Sequence, residues 1–257
     1  MTRKAPVLFL GHGSPTNAIG DNPARRGWIE LGKSLDKPAA ILSISAHWMV
    51  TNPVVRSSEE NPQVYDFYGF PKALYEVKYE PKGDPGVAGR VLELLPGAVV
   101  DNTWGLDHGA WSVLSNVFPE ADVPVVPFGV DNALPPEKLF EIGRALRPLR
   151  EEGVMIVASG NVVHNLRRAD WSNAEGYPWA DDFDAKIKAL ITGGDYEEVT
   201  RFREIEESRL AVPTPDHFYP LLYALGAADG EDAVEVLNDY RELGSMSMTS
   251  YLFRPRE

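Results

Sequence analysis

The stretch AAILSISAHW, residues 39–48, carries the clearest fold signal in the sequence. Its first eight residues form a mostly apolar run, without the strict alternation that is typical of a strand with one exposed face. Such a run indicates a β-strand that is buried on both faces, as in a parallel sheet. Four more short apolar runs predict further strands, at Val7–Leu10, Ala98–Asp101, Val123–Val130 and Val154–Ser159.

Helical patterns separate these apolar runs. In Pro135–Arg150, apolar residues recur at positions 139, 142, 146 and 149 as one helical stripe, and Gly153 suits the exit from that helix. Alternating strands and helices predict an α/β protein whose mostly parallel central sheet is flanked by helices. No linker-like segment divides residues 1–257, so we expect one domain. The other predicted helices are Asp84–Leu95, Ala110–Val117, Trp179–Thr192 and Tyr196–Leu210, and Ser245–Phe253 is a candidate last strand.

The composition argues against several classes of protein. The 257 residues include no cysteine, which excludes a disulfide scaffold and thiol chemistry. The net charge of −13 argues against binding to nucleic acids and against docking on an anionic membrane surface. No run approaches the roughly 18 apolar residues of a membrane helix. The first apolar run is too short for a signal peptide, so we expect a cytoplasmic protein.

The histidines lie at the predicted junctions between elements. In a parallel sheet, binding sites form outside the carboxyl ends of the strands, and helices can begin at the same edge. We therefore expect the five imidazoles to converge. His12, His47 and His164 follow predicted strands, whereas His108 precedes a predicted helix and His217 begins another that runs to Leu225.

Structural roles compete with functional ones at these positions. A single histidine at a junction is more often a hydrogen-bonded structural residue than a ligand. His108 has the strongest structural alternative, because Asp107 and Gly109 also suit a turn and a helix cap. Imidazole is nevertheless a common ligand of zinc and iron, and three converging groups with open positions make a catalytic metal site.

Neighbouring residues allow similar alternatives. Asp216 or Thr214 is expected to cap a helix that has Pro215 at its first position, and we favour this role of Asp216 over metal binding. Large aromatic residues near the histidines are equally suited to the core and to the wall of a substrate pocket. They are Trp48, Trp104, Trp111, Phe218 and Tyr219.

Five motifs surround the histidines. They are GHGSP at 11–15, SAHW at 45–48, GLDHGAWSVL at 105–114, SGNVVHNL at 159–166 and DHFYPLLYALGA at 216–227. In their order and spacing, these motifs resemble the 4,5-DOPA-extradiol-dioxygenase-like proteins, which belong to the class III extradiol ring-cleavage dioxygenases, or LigB superfamily. The resemblance extends from residue 11 to about residue 227.

The resemblance implies a single α/β domain with a mononuclear metal held by His12, His47 and His217. It implies that His164 is the acid or base beside the metal, with a role as fourth ligand as the alternative, and that His108 contacts substrate or oxygen. Many relatives bind Fe(II) with two histidines and a glutamate, whereas the third position here is His217. We expect Fe(II) for activity. Zn(II) is an alternative occupant, because zinc also favours three histidines in catalytic sites.

The implied reaction is the O₂-dependent cleavage of a catechol-type aromatic ring, such as that of DOPA or a catechol acid. His164 would take a proton from the catechol and later return one. One alternative is a zinc hydrolase, in which Asp107 or Asp216 could serve as the base. Another is a binding protein without activity on the same scaffold, because a fold does not determine a function.

Overall fold

A computed structural model describes residues 3–256, so the ends of the predicted domain 1–257 lie outside the described residues. Within this range eight strands form one sheet, in the order β4-β3-β5-β2-β6-β1-β10-β7, and β8 and β9 form a separate hairpin. The strands are β1 (Val7–Gly11), β2 (Ala40–Val50), β3 (Val54–Val55), β4 (Val99–Val100), β5 (Val125–Asp131), β6 (Val154–Gly160), β7 (Ala233–Leu237), β8 (Arg241–Glu242), β9 (Met246–Ser247) and β10 (Ser250–Arg254).

The centre of the sheet is parallel. Strand β1 pairs in parallel with β6, β6 with β2, and β2 with β5. At one side of the sheet, β10 pairs antiparallel with both β1 and β7. The prediction of a mostly parallel sheet in a single α/β domain is confirmed. The parallel strands end at one edge, where the loops that carry several histidines begin.

Both faces of the sheet are covered by helices. Along β1, Val7 and Phe9 belong to one buried apolar cluster, whereas Leu8 and Leu10 belong to the other. This alternation explains why the central strands read as continuous apolar runs, because each side chain is buried whichever face it points to. The helices are α1 (Pro23–Ser34), α2 (Lys72–Tyr75), α3 (Pro85–Leu94), α4 (His108–Val117), α5 (Pro136–Leu146), α6 (Pro178–Gly193), α7 (Ser208–Ala211) and α8 (Tyr219–Ala227).

Some predicted bounds were wrong. The helix expected over Pro135–Arg150 is α-helical only to Leu146 and continues as a 3-10 helix, which ends at Gly153 with a φ of 82°. The segment Tyr196–Leu210 is a nine-residue 3-10 helix followed by the short α7. Helix α1 was not predicted; its first turn is capped by the side chain of Asn22. No helix in the described part of the chain is long and apolar enough to cross a membrane.

Candidate metal centre

The structure brings all five histidines together. The ring centroids of His12, His47 and His217 form a nearly equilateral triangle, with separations of 5.0, 5.1 and 5.2 Å. His108 lies beside this triangle, with its ring centroid 3.9 Å from that of His47. His164 stacks on His217 at 3.5 Å, with the two ring planes only 8° apart.

The elements that carry these residues differ partly from those predicted. His12 follows β1 directly, as expected. His47 was expected after the second strand, but β2 continues to Val50, so that His47 lies within it. The pairing of β2 with β6 nevertheless stops at Ser45, and its register with β5 shifts between Ile44 and Met49. This irregularity frees the segment around His47 from regular pairing at the edge of the sheet.

The hydrogen bonds of His12 determine its tautomer. The hydroxyl of Ser159 lies 2.5 Å from the carbonyl oxygen of Gly109, an acceptor to which it donates its only proton. The Ser159 oxygen must therefore accept from His12 Nδ1, which lies 2.9 Å away. His12 is 1% exposed, and its Nε2 has no hydrogen-bond partner among residues 3–256. A buried, unprotonated nitrogen without a partner is costly unless it binds something.

His47 and His217 are held in the same way. The Nδ1 atom of His47 donates to Asp66 over 2.7 Å, and Nδ1 of His217 donates to Asp216. Their Nε2 atoms then face each other at 3.2 Å. Two lone pairs at this separation repel each other unless a cation, either a proton or a metal ion, lies between them. Metal-bound histidines typically donate their second N–H to a carboxylate or another oxygen, as these do.

Asp66 is a functional residue that the sequence analysis missed. One of its oxygens accepts from His47; the other accepts from the backbone N–H of His108 at 2.9 Å and lies 2.9 Å from Nδ1 of the same residue. A single carboxylate thus orients two imidazoles. Its only sequence signal is its isolation as a charge within the aromatic stretch YDFYGF at 65–70.

The capping role considered for Asp107 and for Asp216 is observed for only one of them. Asp107 caps α4, as expected, and accepts from the backbone N–H of Ala110. Asp216 does not cap a helix: α8 begins only at Tyr219, and the carboxylate of Asp216 binds His217 instead. The preference for a capping role was therefore wrong, because the chain makes an extra turn before the helix.

Burial and neighbouring charges set the protonation of the cluster. Burial lowers the pKa of His12 and of His164 well below the usual value, and the surrounding imidazoles lower both further. Burial also lowers the pKa of His217, against the raising effect of Asp216. Burial opposes a charge on His47 too, but the bond to Asp66 together with the charges of Asp107, Asp66 and Asp216 outweighs it and raises the pKa. Neutral imidazoles, the form that binds metal ions, are thus favoured at three of these positions.

More than one set of ligand atoms is close enough to share an ion. The donor atoms of His12, His47 and His108 lie within 4.8 Å of one another, and so do those of His164, Asp216 and His217. A third set combines His47 with two carboxylates, Asp66 and Asp107. All these sets belong to one continuous cluster, so the structure offers a histidine-based candidate metal site.

A cavity of about 290 Å³, here termed the histidine cavity, opens onto four of the five imidazoles, all except His12. The aromatic residues that line it are Phe67, Phe70 and Trp171 rather than those considered from the sequence. Trp111 and Phe218 belong to the core instead. The histidine cavity is lined by Gly13, Ser14, Pro15, His47, Phe67, Phe70, His108, His164, Leu166, Trp171, His217, Leu243 and Met246.

Fold and site together define a class of protein, namely an α/β domain with clustered histidines beside an aromatic-lined cavity. Comparison with known proteins narrows this class. Residues 8–254 match the family described as the catalytic LigB subunit of aromatic ring-opening dioxygenase, and the chain belongs to this family. It is accordingly an aromatic ring-opening dioxygenase, an oxidoreductase, and the resemblance noted in the sequence is confirmed.

Individual relatives match over nearly their whole length. The chain is 44% identical to the 4,5-DOPA dioxygenase extradiol of Escherichia coli (strain K12), over 96% of this chain and 94% of that protein. It is 39% identical to the protein of the same name from Beta vulgaris, over 96% of both chains. A crystal structure of an uncharacterized protein from Escherichia coli K12 superimposes with a TM-score of 0.85 at 40% identity, covering 97% of this chain and 99% of that one.

Proposed function

We propose that the protein is an Fe(II)-dependent extradiol dioxygenase that opens a catechol-type ring, with the metal held by His12, His47 and His217. The observation that carries this proposal is the triangle of three imidazole rings, with centroids 5.0 to 5.2 Å apart, whose Nδ1 atoms are all bound to oxygen. Nitrogen atoms that share one ion at roughly 2.1 Å each lie roughly 3 Å apart. The 3.2 Å between Nε2 of His47 and Nε2 of His217 fits that requirement.

His108 is the competing third ligand, because a carboxylate lies against its Nδ1 just as in His47 and His217. Its Nδ1 and its backbone N–H both face the Asp66 carboxylate, and burial lowers its pKa. His108 lies on the wall of the histidine cavity and its ring contacts that of Phe67 at 5.5 Å. We assign it to contact with the substrate ring or with O₂.

His164 is the proposed acid and base. Its backbone is fixed on both sides, since its own N–H donates to Ala211 and the N–H of Asn165 donates to Ser245. Its ring lines the histidine cavity and stacks on His217. A rigid, neutral imidazole in this place can accept a hydroxyl proton from the catechol and return it later in the reaction.

The proposed substrate is a catechol whose ring lies in the histidine cavity, with O₂ as the second substrate. A cavity of roughly 150 Å³ suffices for a benzene ring, so the observed volume of about 290 Å³ leaves room for the hydroxyls and part of a side chain. Phe67 and Phe70 supply an apolar wall. When bound, iron would supply the one-electron chemistry with O₂ that zinc lacks. Both oxygen atoms of O₂ would end in the ring-opened product, a muconic semialdehyde type of compound.

Metal replacement tests this proposal. Protein stripped of metal and reloaded with Fe(II) under anaerobic conditions should consume O₂ when a catechol is added, as measured with an oxygen electrode. The Zn(II)-loaded protein is the matched control and should consume none, because zinc has no redox chemistry. Equal rates with the two metals would contradict the dioxygenase mechanism and favour a hydrolase.

A further inference from the structure

A second cavity of about 430 Å³ lies next to the histidine cavity and is here termed the side cavity. Ser14, Trp171 and Leu243 line both cavities and therefore form the boundary between them. The side chain of Trp171 is 80% exposed. The two cavities are therefore adjacent, and a substituent that points from the histidine cavity toward Trp171 is directed at the side cavity.

The side cavity is lined by one carboxylate, Glu242, which forms no salt bridge with any residue in the described range 3–256. Glu242, which is half-buried, accepts from the hydroxyl of Tyr240 at 3.2 Å and from the side-chain amide of Asn17 at 3.3 Å. Burial and the nearby Glu242 charge raise the pKa of Tyr240, which keeps its hydroxyl protonated as a donor. Two neutral donors orient the carboxylate without neutralising it, so its negative charge remains available to a ligand.

Glu242 is also close to the histidine cluster. The Nδ2 atom of Asn17 that lies 3.3 Å from Glu242 lies 3.4 Å from the backbone oxygen of His12. A single amide group therefore separates the carboxylate from the backbone of a proposed metal ligand.

The one basic side chain that lines the side cavity, among residues 3–256, is already paired. Arg241 lies 2.8 Å from Asp184, 3.1 Å from Asp181 and 3.6 Å from Asp239. The histidine cavity has no lysine or arginine among its described lining residues. The charge that a substituent meets in the side cavity is therefore that of Glu242, which favours cations and disfavours carboxylates.

We propose that the side cavity binds the side chain of the substrate and that Glu242 receives a cationic amino group at its end. The preferred substrates are then catechols with a short side chain that ends in an ammonium group. This inference rests on the proposed function, since it places the catechol ring in the histidine cavity. It assigns Glu242 as a specificity-determining residue.

Three catechols that differ only at the end of a two-carbon side chain test the proposal. On the second carbon of that chain, dopamine carries an ammonium group, 4-ethylcatechol a hydrogen atom and 3-(3,4-dihydroxyphenyl)propionate a carboxylate. We expect kcat/KM of the Fe(II)-loaded protein to decrease in that order. In Glu242→Gln, kcat/KM for dopamine should fall about tenfold or more, because a charge-assisted hydrogen bond is lost, while kcat/KM for 4-ethylcatechol should stay within about twofold.

Glu235→Gln is the matched control. It removes the same charge from strand β7, where Glu235 is exposed and pairs with Arg254 outside both cavities. This variant should keep the wild-type preference for dopamine. An unchanged ratio of dopamine to 4-ethylcatechol in Glu242→Gln would overturn the proposal, as would a wild-type preference for the propionate.

Binding without turnover separates this inference from the proposed function. Calorimetry under anaerobic conditions with the Zn(II)-loaded protein should show tighter binding of dopamine than of 4-ethylcatechol, and Glu242→Gln should abolish the difference. If the Fe(II)-loaded protein fails to consume O₂ with 4-ethylcatechol, the proposed function fails. If it consumes O₂ but neither kcat/KM nor calorimetry responds to Glu242→Gln, only the present inference fails.

Discussion

Two buried polar clusters of this protein differ in how completely their hydrogen-bonding atoms are satisfied. Arg150 and Asp232 are 0% and 2% exposed and form a pair with two contacts, at 2.8 and 2.9 Å. The remaining donors of Arg150 reach the backbone oxygens of Ala5 and Ala227 at 2.8 and 3.1 Å. In the histidine cluster, by contrast, Nε2 of His12 has no partner among the described residues, and two other Nε2 atoms face each other.

The difference separates a structural cluster from a binding site. The arginine pair ties Ala5, which precedes β1, to Ala227 at the end of α8 and to Asp232 beyond it, and each of its nitrogen and carboxylate oxygen atoms has a partner. The histidine cluster satisfies Nδ1 of His12, His47 and His217, but within residues 3–256 it leaves Nε2 of His12 without a partner and turns the other two Nε2 atoms toward each other. Buried polar groups without partners are costly, and such a cost persists where a ligand compensates for it.

Removing a proposed metal ligand should have the largest effect. His217→Ala leaves two of the three Nε2 atoms, so we expect bound metal to fall below about a tenth of the wild-type stoichiometry and O₂ consumption to be lost with it. Metal analysis after gel filtration measures the first effect. The fold should persist, because helix α8 is anchored by its own buried apolar residues, and circular dichroism checks this.

His108→Ala is the matched control for that experiment, since His108 also lies close to His47 and His12. It should retain metal. Full metal occupancy in His217→Ala would remove His217 from the ligand set. Loss of metal in His108→Ala at the same time would assign the third position to His108, and retention there would point to Asp216.

Breaking the Arg150–Asp232 pair should lower the stability of the fold instead of its metal content. Asp232→Asn leaves the Arg150 guanidinium buried without a counter-charge, and removing one partner of a buried ion pair costs about 3–5 kcal/mol. Urea unfolding followed by circular dichroism measures this change in the free energy of unfolding. The folded variant should bind metal at wild-type stoichiometry. A loss of less than about 1 kcal/mol, the range of exposed pairs, or a loss of metal, would contradict the distinction between the two clusters.

Much of the fold could be predicted because its signals are local. The runs that became β1, β2, β5 and β6 are mostly apolar and almost wholly buried, since both faces of the sheet are covered. Strand β7 lies at the edge of the sheet and is only partly buried. Its sequence has no continuous apolar run, so the strand was not predicted. The expected strand Ser245–Phe253 divides into β9 and β10, because β9 pairs with β8 rather than with the sheet.

The candidate site was only partly accessible from the sequence. Each histidine could be placed because it lies next to a strand or helix of recognisable pattern. Asp66 could not, because its position depends on the path of the long loop after β3, which brings it to both His47 and His108. Glu242 could not either, since the hairpin of β8 and β9 carries it from the end of the chain to Asn17 near the beginning.

The smallest expected effect is the loss of rate in His164→Ala, because His164 is not one of the proposed metal ligands. His164 stacks on His217, and neither of its ring nitrogens forms a hydrogen bond with a side chain among residues 3–256, whereas Nδ1 of each proposed ligand does. If His164 serves as acid and base, His164→Ala should retain iron and lose kcat on the order of 10²-fold. Single-turnover kinetics on the iron-loaded variant measures this loss directly.

His108→Ala sharpens that result because its ring lies on the wall of the same cavity yet is fixed by Asp66. It should lose less rate than His164→Ala and raise KM, the signature of lost substrate binding. Iron stoichiometry then decides between the two roles of His164. Iron at the wild-type level supports the acid and base, whereas its loss would make His164 a fourth ligand. We expect iron to be retained, because a fourth permanent imidazole would occupy one of the positions that catechol and O₂ require on an octahedral ion.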